Sequence, residues 1–344
     1  MSQLSPTGHS LAQSEPPRTP LLTLAIPTFN RSRDLQRLLE MLAPQLAGQD
    51  SVELLISDNA STDGTPALLE SFRRDGLKFR LIRNDLNIGP DANFEQCFTQ
   101  AAGKYVWIFG DDDVIIPDAL SAIVKLLTSD EFDLVHLRGR RYEEGTALPP
   151  LERPPKVEII RDAETFALRT HVFLTFITAN IIHRERVLSV PHPPFSELNG
   201  SNLGQLGWTY TALKHFRKGA CVLDDLIYAG DDDRGGYLLF RVFGPQLKTI
   251  TETWLAKPEL VRIVMNGTVQ VFFPDYVLRS KLRAHEFNGK SPNHLLQSAF
   301  ASNYRYYVYV YPLLKLPGSL GRGWKFLCRI VNRLDKAAGN PLLR

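Results

Sequence analysis

The sequence predicts an α/β protein: a mostly parallel sheet flanked by helices, followed by a mainly helical C-terminal extension. Three observations carry this. Short apolar runs of strand length alternate with segments of helical periodicity from Leu21 to about Leu127. The candidate functional clusters each follow one of those runs. Beyond Gly244 the pattern turns largely helical. Alternation at this spacing implies βαβ units with right-handed crossovers, and ligands gather at the carboxyl ends of such strands.

Leu21 to Ile26 is an apolar run stopped by Pro27, which suits a buried strand. Leu35, Leu38, Leu39, Leu42 and Leu46 then fall on one helix face. Val52 to Ser57 reads as a second strand. Thr65-Pro66 reads as an N-cap followed by proline at the first helical position. Phe79 to Arg83 is a third strand. Asp91 is expected to cap a helix that ends before Gly103. Tyr105 to Phe109 is a fourth strand, and a helix follows Pro117. Further strands are expected at Phe132 to Leu137, Phe176 to His183 and Ala220 to Tyr228. The proline-rich stretch 147–155 is expected to be a loop. The stretch 190–202 reads as irregular and leads into a helix from Leu203.

Composition sets the bounds. Of 344 residues, 44% are hydrophobic and 22% charged, which suits a globular chain and argues against intrinsic disorder throughout. Cys97, Cys221 and Cys328 are few and far apart, so a reduced, cytoplasmic setting is expected. Residues 1–20 are rich in Ser, Pro and Gln and read as a disordered lead. No apolar run reaches the roughly 18 residues of a spanning helix. The expected division is therefore a lead at 1–20, one catalytic domain at 21–244 and an extension at 245–344. From Tyr304 onward eight Lys/Arg face one acid, Asp335. That tail carries +7, which leaves −4 for the rest of a chain whose net charge is +3.

Four polar clusters invite chemistry. Asp111-Asp112-Asp113 places three carboxylates in a row, which repel unless a cation offsets them; Mg²⁺ or Mn²⁺ favours such oxygen ligands. A solvated acidic loop is the alternative. Pro27-Thr28-Phe29-Asn30-Arg31 sits where a nucleotide meets a strand end, or is a plain strand-to-helix turn. Asp58 to Gly64 offers a carboxylate to a base or ribose, or is an Asx-rich turn. Asn87 to Asn93 includes Gly89, which permits close backbone approach, or simply caps a helix.

In order, PTFNRSRDL, SDNASTDGT, NDLNIGPDANF and AAGKYVWIFGDDDVIIPDAL resemble the opening of family 2 glycosyltransferases of the Rossmann-like GT-A fold. The resemblance is close over about Leu21 to Leu127. It runs more loosely to about Gly244, in the manner of the abequosyltransferase-type branch from bacterial O-antigen and polysaccharide clusters. It implies a nucleotide-sugar donor, with Pro27, Thr28 and Asn30 lining the nucleotide pocket, Asp58 at the base, and Gly89 and Asn93 bordering the nucleotide. The family's Asp-x-Asp-Asp metal motif starts here on Gly110, a departure. Asp112 and Asp113 match its later positions as metal ligands, and Asp112 is expected to bind directly. Asp111 is expected to face the sugar or ribose, touching both nucleotide and reacting centre. The implied reaction inverts the sugar carbon, with a carboxylate base taking the acceptor proton.

The family's usual Glu-Asp pair is absent in the second half. Glu197, the one carboxylate between Phe195 and Trp208, is the base candidate, with a surface glutamate as the alternative. The loop Asp231 to Gly236 is a second candidate for a base, a metal contact or a lid. The Gln-x-x-Arg-Trp element of processive synthases is missing, so transfer of a single sugar is expected. Tyr304, Tyr306, Tyr307, Tyr309, Tyr311, Trp324 and Phe326 interleave with the basic tail. That suits either packing on the catalytic domain or peripheral contact with the inner face of the cytoplasmic membrane, where a lipid-linked saccharide acceptor would lie. No nucleic-acid motif accompanies the tail. A dinucleotide dehydrogenase is excluded because GxGxxG does not follow the first strand. A non-catalytic nucleotide-sugar or carbohydrate-binding protein is the remaining rival.

Overall fold

The computed structural model describes residues 19–143, 145–230, 239–282 and 292–337. The loop Asp231 to Gly236 and most of the N-terminal lead lie outside them. Nine strands form one sheet: β1 (Leu22–Thr28), β2 (Val52–Asp58), β3 (Arg80–Arg83), β4 (Tyr105–Ile108), β5 (Val114–Ile115), β6 (Leu134–Arg141), β7 (Val157–Ile160), β8 (Asn180–His183) and β9 (Gly219–Ala229). The order is β3-β2-β1-β4-β8-β6-β9-β5, with β7 also on β9. β1 to β4 run parallel, as do β6 and β9; β5, β7 and β8 are antiparallel to their neighbours. The mostly parallel sheet is thus a mixed one at its second half.

β1 is buried along its whole length because β2 and β4 flank it and helices cover both faces. Its alternation decides which residue faces which layer. Leu22, Leu24 and Ile26 meet Leu35, Leu38, Leu39 and Leu42 of α1 (Ser32–Leu46) and Leu120 and Ile123 of α4 (Ala119–Ser129). Ala25, Leu55 and Val106 point the other way, into a second core. There Phe98 of α3 (Pro90–Gln100) stacks on Trp208 of α7 (Leu206–Lys214), ring centroids 4.8 Å apart. Between these, α2 (Thr65–Arg74) links β2 to β3, α5 (Ala163–Thr170) follows β7, and α6 (Arg184–Leu188) follows β8.

The C-terminal helices complete this second core. They are α8 (Leu239–Arg241), α9 (Leu247–Leu255), α10 (Pro258–Gly267), α11 (Phe273–Leu282), α12 (Asn293–Phe300), α13 (Tyr311–Lys315) and α14 (Gly318–Ala337). Leu260, Phe273 and Leu313 share one buried cluster with Ala25 and Val106. Gly244, the expected boundary, falls inside a continuous helical run from residue 239 to 255.

Several local expectations are corrected. Only Asn180–His183 of the expected 176–183 strand is extended. The Asn180 amide donates to the carbonyls of Leu174 and Phe176 and closes the preceding chain into 3-10 turns. The helix expected from Leu203 starts at Leu206, because the Asp91 carboxylate takes the N–H groups of Asn202 and Gly204. Asp91 therefore ties that loop to α3 and does not cap α3. Thr65 does not cap α2; it is the first residue of α2, and the Asp63 carboxylate accepts its N–H.

Gly103 turns the chain from α3 into β4 directly against β1. A Cβ there would lie 2.5 Å from the Thr23 nitrogen, and backbone cannot step aside as a side chain does. Gly103→Ala is expected to destabilise the fold by about 1–3 kcal/mol, read as a lower urea midpoint at unchanged slope.

Candidate active site

The carboxyl ends of β1, β2 and β4 bring the first three clusters together. Main-chain hydrogen bonds continue past the strands: Asn59 N–H donates to Thr28, Asn84 to Asp58 and Phe109 to Ala25. Thr28 and Asp58 are register partners across β1 and β2. The Thr28 hydroxyl donates to Asp111 Oδ2 at 2.7 Å, so three motifs meet within two side chains.

The three aspartates occupy different environments. Asp111 is buried, held by Thr28 and by Arg31 Nη1 at 3.0 Å from Oδ1. The same Nη1 lies 3.1 Å from Asp112 Oδ2, so one guanidinium spans both carboxylates. Asp112 is the most exposed of the three, and Arg37 Nη2 donates to its carbonyl at 2.7 Å. Asp113 is turned inward. Its Oδ1 accepts Gly230 N–H at 2.9 Å and its Oδ2 accepts the Thr178 hydroxyl, which itself takes Gly110 N–H. Burial raises the carboxyl pKa of both Asp111 and Asp113, and the neighbouring Asp112 charge adds to it; for Asp111, Arg31 counters the rise.

This geometry explains the departure at Gly110. A Cβ there would lie 2.8 Å from Asp113 Oδ2. The inward carboxylate fills the space that the family's first aspartate would need.

The donor set fits a divalent cation in one form. Both oxygens of Asp113 are spent on the protein, and no group of three or more acidic, His or Cys side chains among the described residues converges on one point. Asp112, with Asp111 behind it, offers hard oxygen ligands, and Mg²⁺ commonly takes one or two carboxylates plus substrate phosphates. Burial and the adjacent Asp112 charge together make ionisation of Asp111 and Asp113 costly.

The nucleotide residues divide in the same way. Asp58 is 1% exposed; its Oδ1 accepts Ser61 N–H, while Oδ2 has no hydrogen-bond partner among the described residues. Arg83 Nε stands 3.5 Å from that oxygen. Sequence reading placed Arg31 in the first polar cluster without a role of its own and passed over Arg83, the last residue of β3. Asn30 adopts a left-handed backbone (φ 53°), and its side-chain oxygen accepts Thr62 and Asp63 N–H. It staples the first loop to the second. Asn93 is buried; Ser57 Oγ donates to its oxygen at 2.6 Å, and its amide returns to the Ser57 carbonyl. It holds α3 against β2 and presents neither amide atom outward. Gly89 has φ 87°, and its carbonyl accepts the Asn59 amide. Pro27 lies within β1 opposite Ser57.

Glu197 is exposed on a 3-10 turn whose Phe195 packs on Phe98 and Trp208. Among the described residues no hydrogen bond or ion pair joins it to the aspartate loop. The turn is nevertheless tethered to α3 through Asp91. A cleft of about 920 Å³ opens at the opposite, amino end of the strands. Its Glu131 pairs with both Lys104 and Arg186, and it is not part of this site.

The parallel strands with polar loops and an aspartate run at their carboxyl ends have the arrangement of the GT-A fold. Residues 23–189 match the family model described as glycosyl transferase family 2, and the chain carries a domain of that family. It is 35% identical to abequosyltransferase RfbV of Salmonella typhimurium over 154 residues, 44% of this chain and 45% of that protein. It is 31% identical to the GalNAc(5)-diNAcBac-PP-undecaprenol beta-1,3-glucosyltransferase of Campylobacter jejuni over 109 residues, 31% of this chain and 34% of that one. The matched segment thus spans less than half of each of these relatives. Among solved structures, S. aureus TarS 1-349 in complex with UDP-GlcNAc shares the fold (TM-score 0.58, 15% identity, 93% of this chain and 92% of that one). So does the mannosyltransferase PcManGT of Pyrobaculum calidifontis, in complex with GDP-Man and Mn²⁺ (TM-score 0.51, 16% identity, covering 93% and 88%).

Asp112→Asn and Asp113→Ala separate the two environments. Asp112→Asn is expected to leave stability within about 0.5 kcal/mol, whereas Asp113→Ala is expected to cost about 1–3 kcal/mol by stranding Gly230 N–H and the Thr178 hydroxyl. Chemical denaturation of both variants checks this. Equal losses would mean that Asp113 is not an internal tie.

Proposed function

We propose that the chain transfers one sugar from a nucleoside-diphosphate sugar to a saccharide acceptor, lipid-linked and cytoplasmic-facing, in the synthesis of a bacterial surface polysaccharide. One observation carries it. A buried Asp58 oxygen, with Arg83 at 3.5 Å but no hydrogen-bond partner among the described residues, lies at the same sheet edge as the Asp111–Asp112 pair, bridged by Thr28. A base N–H satisfies such an oxygen, and a diphosphate with its cation satisfies the second pair. The named ligands of the fold relatives, UDP-GlcNAc for TarS and GDP-Man with Mn²⁺ for PcManGT, support the donor class and the cation. The Campylobacter relative's name supports a PP-undecaprenol-linked acceptor.

Asp58 accepts from the base, with Arg83 beside it fixing the charge. Asp112 would hold the cation directly, with Asp111 toward the sugar or ribose. A divalent cation, Mg²⁺ or Mn²⁺, supplies positive charge against the departing diphosphate. Asp113, Asn30 and Asn93 act as positioning residues that hold the loops in place. Glu197 takes the proton of the attacking acceptor hydroxyl, and attack from the face opposite the diphosphate inverts the sugar carbon.

Thermal unfolding against UDP, CDP, GDP and dTDP, each with and without Mn²⁺, tests the donor site. A metal-dependent rise with one nucleotide is expected, by mass action on the native state. Asp58→Ala is expected to weaken that nucleotide about tenfold or more, the worth of one charged hydrogen bond. No rise with any nucleotide overturns the reading.

Glu197→Gln keeps the fold and the nucleotide shift. Its transfer rate is expected to fall about 100-fold or more, as loss of a general base requires. Turnover within a few-fold of the parent, on the same donor, would place the base elsewhere.

A further inference from the structure

The surface of α14 divides into three stripes. Gly321, Trp324, Lys325, Cys328 and Asn332 face the protein body. Gly321 approaches so closely that a Cβ would lie 2.9 Å from Leu278 Cδ2. Lys325 pairs with Asp275, Trp324 Nε1 donates to the Val308 carbonyl, and Tyr309 Oη donates to Asn332 at 2.8 Å. The helix is therefore fixed in rotation, and its outer side is defined.

On that outer side, at about 100° per residue, Phe326, Ile330, Leu327, Leu320 and Val331 follow one another within an arc of about 140°. They are between 39% and 63% exposed. Arg329, Arg322 and Arg333 form a row along one edge of this arc, within about 40°. Arg322 and Arg333 have no acidic partner among the described residues, and residues 318–333 contain no acid. On the other edge, Trp324 joins the helix to the exposed Tyr307, Val308 and Tyr311.

We propose that this face is a docking surface for a lipid bilayer that carries anionic headgroups, with α14 lying in the interface plane. Large apolar side chains enter the acyl boundary while a basic edge meets phosphate; that is the division an interfacial helix needs. No helix among the described residues is long and apolar enough to cross a membrane, so the contact is peripheral. A second copy of the chain is a poorer occupant. Packed antiparallel, two such faces would bring both arginine rows to one seam, where like charges repel; packed parallel, the rows would lie on opposite seams and find no acid within residues 318–333 of the partner helix. The inference deepens the proposed membrane-side acceptor but rests on the surface of α14 alone.

Flotation of the full chain with vesicles tests it, using phosphatidylcholine alone and phosphatidylcholine with about one quarter phosphatidylglycerol. The chain is expected to float with the anionic vesicles and to bind neutral ones about tenfold or more weakly. Phe326→Glu with Leu327→Glu is expected to abolish flotation. Arg322→Gln with Arg333→Gln is expected to reduce anionic binding about tenfold while sparing the neutral background. All these side chains are exposed, so both variants should keep the parent unfolding midpoint and its nucleotide-induced shift. Flotation without a nucleotide shift would sink the donor site and leave the docking surface standing. The inference is overturned if the full chain stays with neither vesicle, or if Phe326→Glu with Leu327→Glu floats like the parent. A dimer in sedimentation that this variant dissociates, with no flotation, overturns it in favour of a second copy.

Discussion

Arg31 is the charge on which the site depends. Three carboxylates follow one another after β4, and two of them, Asp111 and Asp112, point toward the strand ends. Without a cation their proximity in a partly desolvated loop is costly. One guanidinium nitrogen at 3.0 and 3.1 Å meets both, and it comes from the loop that follows β1. The aspartate loop is thus held in register with the nucleotide loops before any ligand arrives. An arginine there offsets the pair only in part: burial first, and then the Asp112 charge, keep the Asp111 pKa raised.

The loops themselves are joined by neutral polar groups. The Asn59 amide donates to Asn87 and to the Gly89 carbonyl, Asn84 donates to Asn59, and Gln96 donates to Asn84 and Ser57. Ser57 closes the circuit with Asn93. Asn59, Asn84 and Asn93 each both donate and accept, so the network orders the ends of β2 and β3 and the start of α3 without adding charge. Breaking it at one residue leaves a second polar atom unsatisfied, which makes its cost larger than one hydrogen bond.

How much of this was legible in the sequence follows from which forces act locally. β1, β2 and β4 were plain, because mostly apolar runs of five or six residues between turn signals have few other solutions. The gathering of polar clusters at strand ends was also plain, since βαβ topology dictates it. The direction of each polar side chain was not. Asn93 read as a ligand contact but is buried against Ser57, and the Asn30 side-chain oxygen is engaged by Thr62 and Asp63, partners that only the tertiary register reveals. Asp91 read as a helix cap because its nearest backbone donors were in view. Its actual partners lie more than a hundred residues away, at Asn202 and Gly204. The strand expected at 176–183 was shortened by the Asn180 amide, a single side chain acting on its own upstream backbone. The tail's mixed character split into stripes only once Lys325, Trp324 and Asn332 fixed how α14 is rotated.

Gly110 and Asp113 show how a motif is altered without losing its arrangement. The space beneath the turn admits one carboxylate, and here it arrives from the third aspartate of the run, folded back onto Thr178 and Gly230. A side chain at position 110 would collide with it, so the first motif position must be bare. The exchange has a second consequence. Asp113 binds the end of β9 through Gly230, and a Cβ on Gly230 would meet the Asp112 carbonyl at 2.4 Å. The end of β9 is therefore packed against the backbone of the residue best placed to hold a cation. The loop that begins at Asp231 starts one residue beyond that contact.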